Sequence, residues 1–194
     1  MVDSNPGLSL NDDTDYGLCF VCGPKNECGL RLQFKRVGDS VTTSYTPSDH
    51  HQGFPGVLHG GVVTALLDEV MSRVSVVEGR WTQTARIEVR FRRQVLVGQT
   101  VTAVAKKVSE RRGFVEAEGR VLLPDGSVAA EATGTFAPVP DDALAQMSAA
   151  YPRLSQEWMV NRNWGPGDLP LPPEGALHKK SREAGRGSTS SPRT

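Results

Sequence analysis

The fold is decided by the stretch Gly53-Phe54-Pro55-Gly56-Val57-Leu58-His59-Gly60-Gly61-Val62-Val63-Thr64-Ala65-Leu66-Leu67-Asp68-Glu69. It reads as a glycine-rich turn that opens a helix, and the helix carries an embedded acid at Asp68. A helix that begins on glycine offers bare backbone N–H groups to a substrate oxygen, because no side chain covers them. An acid two turns further along can act as a general base. The stretch therefore predicts a helix start that binds a carbonyl oxygen and a helix interior that accepts a proton.

The helix predicted from Gly60 to about Glu78 contains no proline. Its apolar residues cover nearly the whole circumference: Val62, Val63, Ala65, Leu66, Leu67, Val70, Met71, Val74 and Val77. A surface helix would show a single apolar stripe, so this pattern indicates a buried helix.

Period-two alternation of apolar and polar residues, which is typical of half-buried strands, occurs on both sides of this helix. Before the helix it covers Leu30, Leu32 and Phe34, and a turn at Gly38-Asp39 leads into a second strand at 41–45. Four further strands are predicted at 85–92, 101–105, 114–123 and 128–137. This order predicts an α+β fold in which an antiparallel sheet wraps around one long central helix.

The segment His59-Gly60-Gly61, with Asp68 nine residues after His59, resembles the hotdog-fold thioesterases, in particular the acyl-CoA thioesterases of the phenylacetate-pathway type. The resemblance covers roughly residues 18–138 and implies the hotdog fold. It also implies that water hydrolyses an acyl-CoA thioester, with Asp68 as the base and the Gly61 N–H as the donor to the thioester oxygen. No bound cofactor is implied.

Four further residues are expected near this site. His59 would cap or orient the loop through a ring N–H, without a role in proton transfer, and Gly60 would allow close approach of the substrate. Ser72, one turn beyond Asp68 on the same helix face, could hold the attacking water. Relatives often place an Asn or Gln in the loop before the helix as a second carbonyl donor, and Gln52 matches that position.

Arginine side chains are the expected contacts for the phosphates of coenzyme A, because guanidinium groups suit phosphate oxygens. Arg111 and Arg112 lie at a predicted turn, where a phosphate could reach them. The alternative for this pair is an ordinary polar turn without a ligand.

The spacing of the glycine and the acid has a consequence for assembly. Gly61 and Asp68 are seven residues apart, so their backbones are separated by roughly 10 Å along a helix that rises about 1.5 Å per residue. A thioester carbonyl cannot span that distance, because its oxygen must lie about 3 Å from the N–H donor while its carbon meets the activated water. A second copy with an antiparallel helix would place its Asp68 opposite the first Gly61. We therefore expect a homo-oligomer with a shared site, which the resemblance also implies.

Three cysteines, Cys19, Cys22 and Cys28, lie within ten residues. An odd number of clustered thiols argues against a disulfide framework and fits a reducing compartment. A closed zinc site needs four ligands, so His50 or His51 would have to complete one. We expect ordinary packing or a loop role here and no metal at the catalytic site, with zinc as the alternative.

The chain of 194 residues has 22 Lys and Arg against 22 Asp and Glu, and this balance predicts no nucleic-acid partner. Without a basic, apolar leader or a run of about 18 apolar residues, we expect a cytoplasmic protein that does not enter a membrane. The predicted division is a flexible lead at 1–17, the hotdog domain at 18–138, and a short helix with a Pro- and Gly-rich disordered tail at 139–194. Trp158 and Trp164 of this tail could still dock onto the domain.

Two other functions remain open at this point. A non-catalytic protein that binds acyl thioesters for regulation would keep the site and tolerate loss of the acid. An enoyl-thioester hydratase would use a His placed deeper on the helix, and no His follows His59 until His178, which disfavours this alternative.

Overall fold

A computed structural model describes residues 18–78, 80–143 and 145 of the chain. Its elements in chain order are β1 (Lys35–Val37), β2 (Ser40–Tyr45), a 3-10 turn (Asp49–His51), β3 (Gln52–Phe54), β4 (Val57–Leu58), α1 (Gly60–Val76), β5 (Thr82–Phe91), β6 (Val101–Arg111), β7 (Phe114–Leu122) and β8 (Val128–Pro138). Among these described elements, no helix is long and apolar enough to cross a membrane.

Six of the strands form one antiparallel sheet in the order β1-β2-β6-β7-β8-β5. The small hairpin β3–β4 stands apart from it, directly before α1. Helix α1 packs on one face of the large sheet and contacts β2, β5, β6, β7 and β8. This arrangement confirms the predicted α+β fold, an antiparallel sheet around one long central helix.

The prediction that α1 is buried is confirmed. Nine of its residues are buried, among them Leu66, Leu67, Val70 and Met71 at 0% exposure. The helix approaches the sheet closely over Gly119 of β7, where a Cβ atom would fall 2.9 Å from Met71 Cγ. A side chain at that position would force helix and sheet apart, so the glycine permits the close packing.

The first predicted strand is wrong in its position. Leu30 and Leu32 are buried as the alternation indicated, but they precede β1, which is only three residues long. Arg31 between them has φ 51°, a left-handed conformation that a regular strand does not contain. The alternation in this segment therefore reflects a loop whose apolar side chains reach the core.

Parts of the predicted domain division fall outside the described residues. The lead at 1–17 and the tail that carries Trp158 and Trp164 are among them. Of the short helix predicted at the start of 139–194, residues 141–143 and 145 are helical.

Candidate active site

His59 is the N-cap of α1. It has an extended backbone (φ −63°, ψ 135°), and its Nδ1 accepts a hydrogen bond from the Gly61 N–H at 2.9 Å. The sequence predicted that His59 orients the loop by donating a ring N–H, whereas the structure shows a ring nitrogen accepting. A neutral imidazole that accepts at Nδ1 carries its proton on Nε2. His59 therefore acts as a capping side chain of the kind that usually comes from Ser or Asp.

This cap distinguishes the two glycines at the helix start. The Gly61 N–H, predicted to bind the thioester oxygen, already has a partner in His59. The Gly60 N–H makes no hydrogen bond within the described part of the chain. Gly60 is therefore the donor available to a ligand, while Gly61 could serve only after the cap opens.

Gly60 lies beside exposed aromatic surface. A Cβ atom placed on Gly60 would be 3.5 Å from the Phe91 ring, at ordinary contact distance. Phe91 is 56% exposed, and Phe54 in the hairpin before the helix is 76% exposed. The open N–H donor thus lies close to the exposed ring of Phe91, which an acyl group or a partner subunit could cover.

Asp68 lies on the side of α1 that faces β5. Its Oδ1 accepts a hydrogen bond of 2.7 Å from the Thr84 hydroxyl. Burial raises the pKa of Asp68 above its ordinary value, the Thr84 hydroxyl lowers this pKa, and the nearby negative charge of Glu69 raises it. A half-buried carboxyl with one neutral donor keeps free lone pairs and an increased affinity for a proton, which are the properties of a general base.

Thr84 is a site residue that the sequence alone does not reveal. Strict alternation on β5 would place Thr84 on the outer face with Arg86, opposite the inward Ile87. The register against β8 shifts between Thr84 and Arg86, so Ala85 forms a bulge. A bulge adds one residue to a strand and changes which face the preceding side chains occupy. Thr84 consequently points to α1 and reaches Asp68.

Glu69 has a different environment from that of its neighbour Asp68. Its Oε1 accepts hydrogen bonds from Arg73 Nη2 at 2.6 Å and from Arg73 Nε at 3.0 Å. The two side chains are 7% and 14% exposed, for Arg73 and Glu69 respectively. The guanidinium also stacks on Phe34, 4.6 Å from the ring centroid. Glu69 is therefore part of a mostly buried ion pair that holds α1 to the N-terminal loop, the segment before β1 in which Phe34 lies.

Ser72 lies one turn after Asp68, as predicted, and is half-buried. Its hydroxyl donates to the Glu69 carbonyl oxygen at 2.9 Å. The oxygen lone pairs can still accept a bond, but the proton is engaged with the helix backbone. The predicted role in holding water rests on that remaining capacity.

Gln52 lies on β3, in the hairpin before the helix. Its Oε1 accepts from the Gly56 N–H at 3.0 Å and closes the β3–β4 turn, where Gly56 has φ 74°. This bond engages the amide oxygen and leaves the Nε2 hydrogens for another acceptor. The arrangement suits the predicted donor role of Gln52.

His51 connects three parts of the structure around the helix start. Its ring bonds the Tyr45 hydroxyl at 2.6 Å and the Cys28 carbonyl oxygen at 3.2 Å, and its own carbonyl accepts from the His59 N–H at 2.9 Å. Burial raises the pKa of Tyr45 to about 12, so this phenol stays protonated. Adjacent histidines in a loop give no sequence signal for such a role, because the partners come from distant segments.

Arg111 and Arg112 are exposed at the β6–β7 turn. Through β8, this turn adjoins the start of β5, because Val115 pairs with Phe136 and Phe136 with Thr84. Gly60 lies by Phe91, at the other end of β5. Within one chain, the structure therefore does not bring the two arginines to the Gly60 N–H.

In the cysteine cluster, the thiols of Cys19 and Cys22 share a hydrogen bond and form no disulfide. The hydrogen bond between the thiols lowers the pKa of Cys19 to about 6 and raises that of Cys22. Cys28 is exposed. In residues 18–78, 80–143 and 145, no three His, Cys, Asp or Glu side chains are arranged to hold a metal ion.

Comparison with known proteins finds similarity to thioesterases. The family model of the thioesterase superfamily matches residues 55–130. A solved thioesterase superfamily protein is 29% identical to this chain, with a TM-score of 0.57. The match covers 60% of this chain and 61% of that protein, which is less than two thirds of that protein's length. The PaaI protein of the phenylacetic acid degradation operon of E. coli is 15% identical, with a TM-score of 0.54, and the match covers 57% of this chain and 81% of PaaI. A Streptococcus mutans protein bound to acetyl CoA is 19% identical (TM-score 0.53, covering 56% and 88%).

A search of curated proteins finds no match. The matched segment includes the β3–β4 turn, all of α1 and the strands β5 to β7, and therefore most of the candidate site. The family match and the shared fold confirm the resemblance to the hotdog-fold thioesterase superfamily, and the PaaI protein shares this fold.

Proposed function

We propose that this protein hydrolyses an acyl-CoA thioester to a free acid and coenzyme A. The observation that carries the proposal concerns α1 and holds for the described residues: the Gly60 N–H at the start of the helix has no partner among them, and the half-buried Asp68 is bonded there by the Thr84 hydroxyl alone. The Gly60 N–H can donate a hydrogen bond to an oxygen that gains negative charge, and the Asp68 carboxylate can accept a proton from water. The thioesterase family match supports the reaction class, and the S. mutans relative bound to acetyl CoA supports a coenzyme A ester.

In the proposed mechanism, Asp68 removes a proton from water as the water oxygen attacks the thioester carbonyl carbon. The Gly60 N–H donates to the carbonyl oxygen, where the α1 dipole also stabilises negative charge. The carbon–sulfur bond then breaks, and the thiolate takes up the proton held by Asp68. Gly60 replaces Gly61 as the proposed donor because His59 occupies the Gly61 N–H. Gln52 is the proposed second donor to the same oxygen.

Gly60 and Asp68 of one chain cannot act on one carbonyl. Eight residues of α-helix separate them by about 12 Å. The pair of Asp68 and Thr84 lies at β5, which is an edge strand of the six-stranded sheet. A second copy related by a twofold axis, with its α1 antiparallel, would bring its Gly60 opposite this Asp68. We therefore propose a homodimer as the smallest active unit.

Two inactive variants test the shared site when mixed. Asp68→Asn removes the base, and Gly60→Pro removes the N–H donor at the first helical position, where proline is well tolerated. His59 already has the extended backbone that a residue before proline requires. In a mixed dimer, one site combines the intact Asp68 of one chain with the intact Gly60 of the other. Random pairing of equal amounts should restore about a quarter of wild-type activity.

Gly60→Ala is the matched control, because it adds a Cβ at ordinary contact distance from Phe91 and keeps the N–H. It should retain much more activity than Gly60→Pro. Absence of recovery in a mixture whose subunit exchange is verified by native mass spectrometry would contradict the shared site. A fully active monomer in sedimentation experiments would do the same.

The substrate class requires a separate assay. A panel of aryl, short-chain and long-chain acyl-CoA esters, followed by detection of the free thiol, should reveal turnover with at least one group. If the wild type binds these esters without releasing thiol, and Asp68→Asn binds them equally well, the protein is a binding or regulatory member of the fold and the proposed hydrolysis is wrong.

A further inference from the structure

The N-terminal loop carries three thiols that the proposed hydrolysis does not use. Cys19 and Cys22 are separated by two residues, and Cys28 follows six residues after Cys22. The thiols of Cys19 and Cys22 share a hydrogen bond, whereas Cys28 is exposed. The loop therefore contains one bonded pair of thiols and a third thiol at the surface.

Backbone hydrogen bonds fix the turn that joins the two paired cysteines. The Gly23 N–H donates to the Cys19 carbonyl oxygen at 2.9 Å and closes a turn that includes Cys22. The carbonyls of the two residues between the cysteines accept N–H groups from the buried residues further along the loop: Phe20 from Leu30 at 2.8 Å, and Val21 from Leu32 at 2.9 Å. The backbone of this turn therefore holds the two thiols close to each other.

The Cys19 sulfur is the acceptor of the turn. It accepts hydrogen bonds from the Cys22 thiol and from the backbone N–H groups of Cys22 and Val21. These donors lower the pKa of Cys19 to about 6, although partial burial and the negative charge of Glu69 oppose them. Cys19 is consequently mostly thiolate at neutral pH, and the thiolate is the nucleophilic form of cysteine.

Cys22 has the opposite properties. Its thiol donates to the Cys19 sulfur, which raises the pKa of Cys22, and burial and the negative charge of Glu69 raise this pKa further. The positive charge of Arg73 opposes these effects. Cys22 therefore keeps its proton while Cys19 is ionised. Once the Cys19 sulfur has formed a covalent bond and lost its charge, it no longer holds the Cys22 proton, and Cys22 becomes the second nucleophile.

We propose that Cys19 and Cys22 form a redox-active dithiol that small-molecule disulfides convert to an intramolecular disulfide. The Cys19 thiolate attacks one sulfur of the small disulfide, whose sulfur–sulfur bond breaks, and the displaced thiolate takes a proton from water. The Cys22 sulfur then attacks the Cys19 sulfur, and the Cys22 proton passes to the second thiolate as it leaves. The protein dithiol loses two electrons, and the small disulfide gains them as it becomes two thiols.

Cys28 provides an internal comparison, because it lies in the same loop but outside the turn. Its N–H donates to Asn26 Oδ1 at 3.0 Å, and its carbonyl accepts from His51 Nε2 at 3.2 Å. If exposure alone governs reactivity, Cys28 reacts before the other two cysteines. If the hydrogen bonds of the turn govern it, Cys19 reacts first.

The test uses the full chain, reduced and then freed of reductant, with glutathione disulfide as the oxidant at pH 6. At this pH Cys19 is about half ionised, whereas an ordinary thiol with a pKa of about 8.5 is less than about 1% thiolate. Remaining thiols are blocked with iodoacetamide, and peptide mass spectrometry locates each modified sulfur. We expect a disulfide between Cys19 and Cys22 as the main product, reversed by dithiothreitol, with Cys28 still open to alkylation.

Two variants separate the steps. Cys22→Ser keeps a hydroxyl that can donate to the Cys19 sulfur but removes the second nucleophile, so the mixed disulfide with glutathione should accumulate at Cys19. It should form there about tenfold faster than at Cys28, since the larger thiolate fraction outweighs the lower nucleophilicity of a thiolate of low pKa. Cys28→Ser is the matched control, and it should form the disulfide between Cys19 and Cys22 at the wild-type rate.

Three results would overturn the proposal. The first is glutathione attached mainly at Cys28, or no reaction at Cys19. The second is a main disulfide that joins Cys28 to Cys19 or Cys22. The third is a purified protein that retains a stoichiometric metal ion and whose thiols react only after a chelator is added, because the turn would then supply metal ligands. No acyl-CoA ester enters the assay, so its result is independent of the proposed hydrolysis.

Discussion

The two sides of α1 show how differently one helix can treat adjacent carboxylates. On the side of β5, Asp68 accepts a hydrogen bond from the neutral hydroxyl of Thr84 at the edge of the sheet. On the side of the N-terminal loop, Glu69 is bonded twice by Arg73, whose guanidinium stacks on Phe34. A carboxylate neutralised by a guanidinium is a poor proton acceptor, whereas one beside a hydroxyl remains available. The surroundings, rather than residue type, separate the proposed catalytic acid from the structural one.

The largest expected effect is the loss of activity in Asp68→Asn. The amide keeps the shape and an acceptor for Thr84 but cannot take a proton from water. Hydrolysis should fall by about a hundredfold or more, the usual scale for loss of a general base, while binding of the acyl-CoA ester persists. Steady-state kinetics with a free-thiol readout measures the first effect, and calorimetric titration measures the second.

Thermal melting provides a control for Asp68→Asn. A carboxyl whose pKa is raised by folding contributes stability below its unfolded pKa and loses that contribution as pH rises through its folded pKa. At neutral pH the ionised Asp68 therefore lowers stability. The variant should melt at the same temperature as the wild type or higher, and a markedly lower melting temperature would mean that Asp68 is structural.

Glu69→Gln should have the opposite profile. Its side chain and that of Arg73 are mostly buried, and breaking such a pair costs about 3 kcal/mol of unfolding free energy. Activity of the folded protein should stay within a few-fold of the wild type, because Glu69 faces away from β5. Urea unfolding and kinetics together test this. If Glu69→Gln is inactive and its stability is unchanged, Glu69 is the catalytic acid and Asp68 is the structural one.

Thr84→Val tests how the Thr84 hydroxyl affects the pKa of Asp68 and the rate of hydrolysis. The Thr84 hydroxyl lowers the pKa of Asp68, so its removal raises that pKa. The acid limb of the kcat/KM profile, which reports the free enzyme, should move to higher pH. At neutral pH the rate should fall about fivefold, the equivalent of a hydrogen bond of about 1 kcal/mol. Thr84→Ser restores the donor and is the matched control; an identical profile for Val and Ser would contradict the positioning role.

The smallest expected effect is on the Glu69 side, in Phe34→Leu. The substitution keeps an apolar side chain but removes the aromatic face under Arg73. Stability should fall by about 0.5–1 kcal/mol, the scale of a cation–π contact, and the kinetics should not change. A change in kcat larger than the change in stability would show that the two sides of α1 are coupled.

The sequence predicted the central elements because their patterns are local. The circumferential apolar residues of α1 and the alternation in β5 to β8 follow from helix and strand periodicity alone. The strand expected at Leu30, Leu32 and Phe34 failed because a loop can also bury alternate side chains. The left-handed Arg31 that interrupts it has no clear signal in the sequence.

The sequence identifies the acid and the glycines as candidates, but not the bonds that select among them. Choosing Gly60 over Gly61 depends on the side-chain rotamer of His59, which caps the helix. The roles of Thr84 and His51 depend on pairings between residues far apart in the chain. Such contacts are fixed by register and loop geometry, and neither can be read from one sequence.

The bulge at Ala85 gives β5 one position at which the length of the strand can change without reversing its two faces. Before the bulge, the side chains that face α1 belong to even-numbered residues such as Thr84. After the bulge, they belong to odd-numbered residues such as Ile87. Substitution of Ala85 leaves both sets in place, since its side chain makes no ladder pair. Deletion of this single residue would place Thr84 directly before the outward Arg86, and strict alternation would then keep both Thr84 and Ile87 on the side of α1. Deletion of one residue from the regular ladder between Ile87 and Phe91 would instead reverse the faces of the side chains on one side of the deletion. Sequence variation in this strand is therefore expected to change or remove the residue at the bulge and to avoid one-residue insertions and deletions in the ladder that follows.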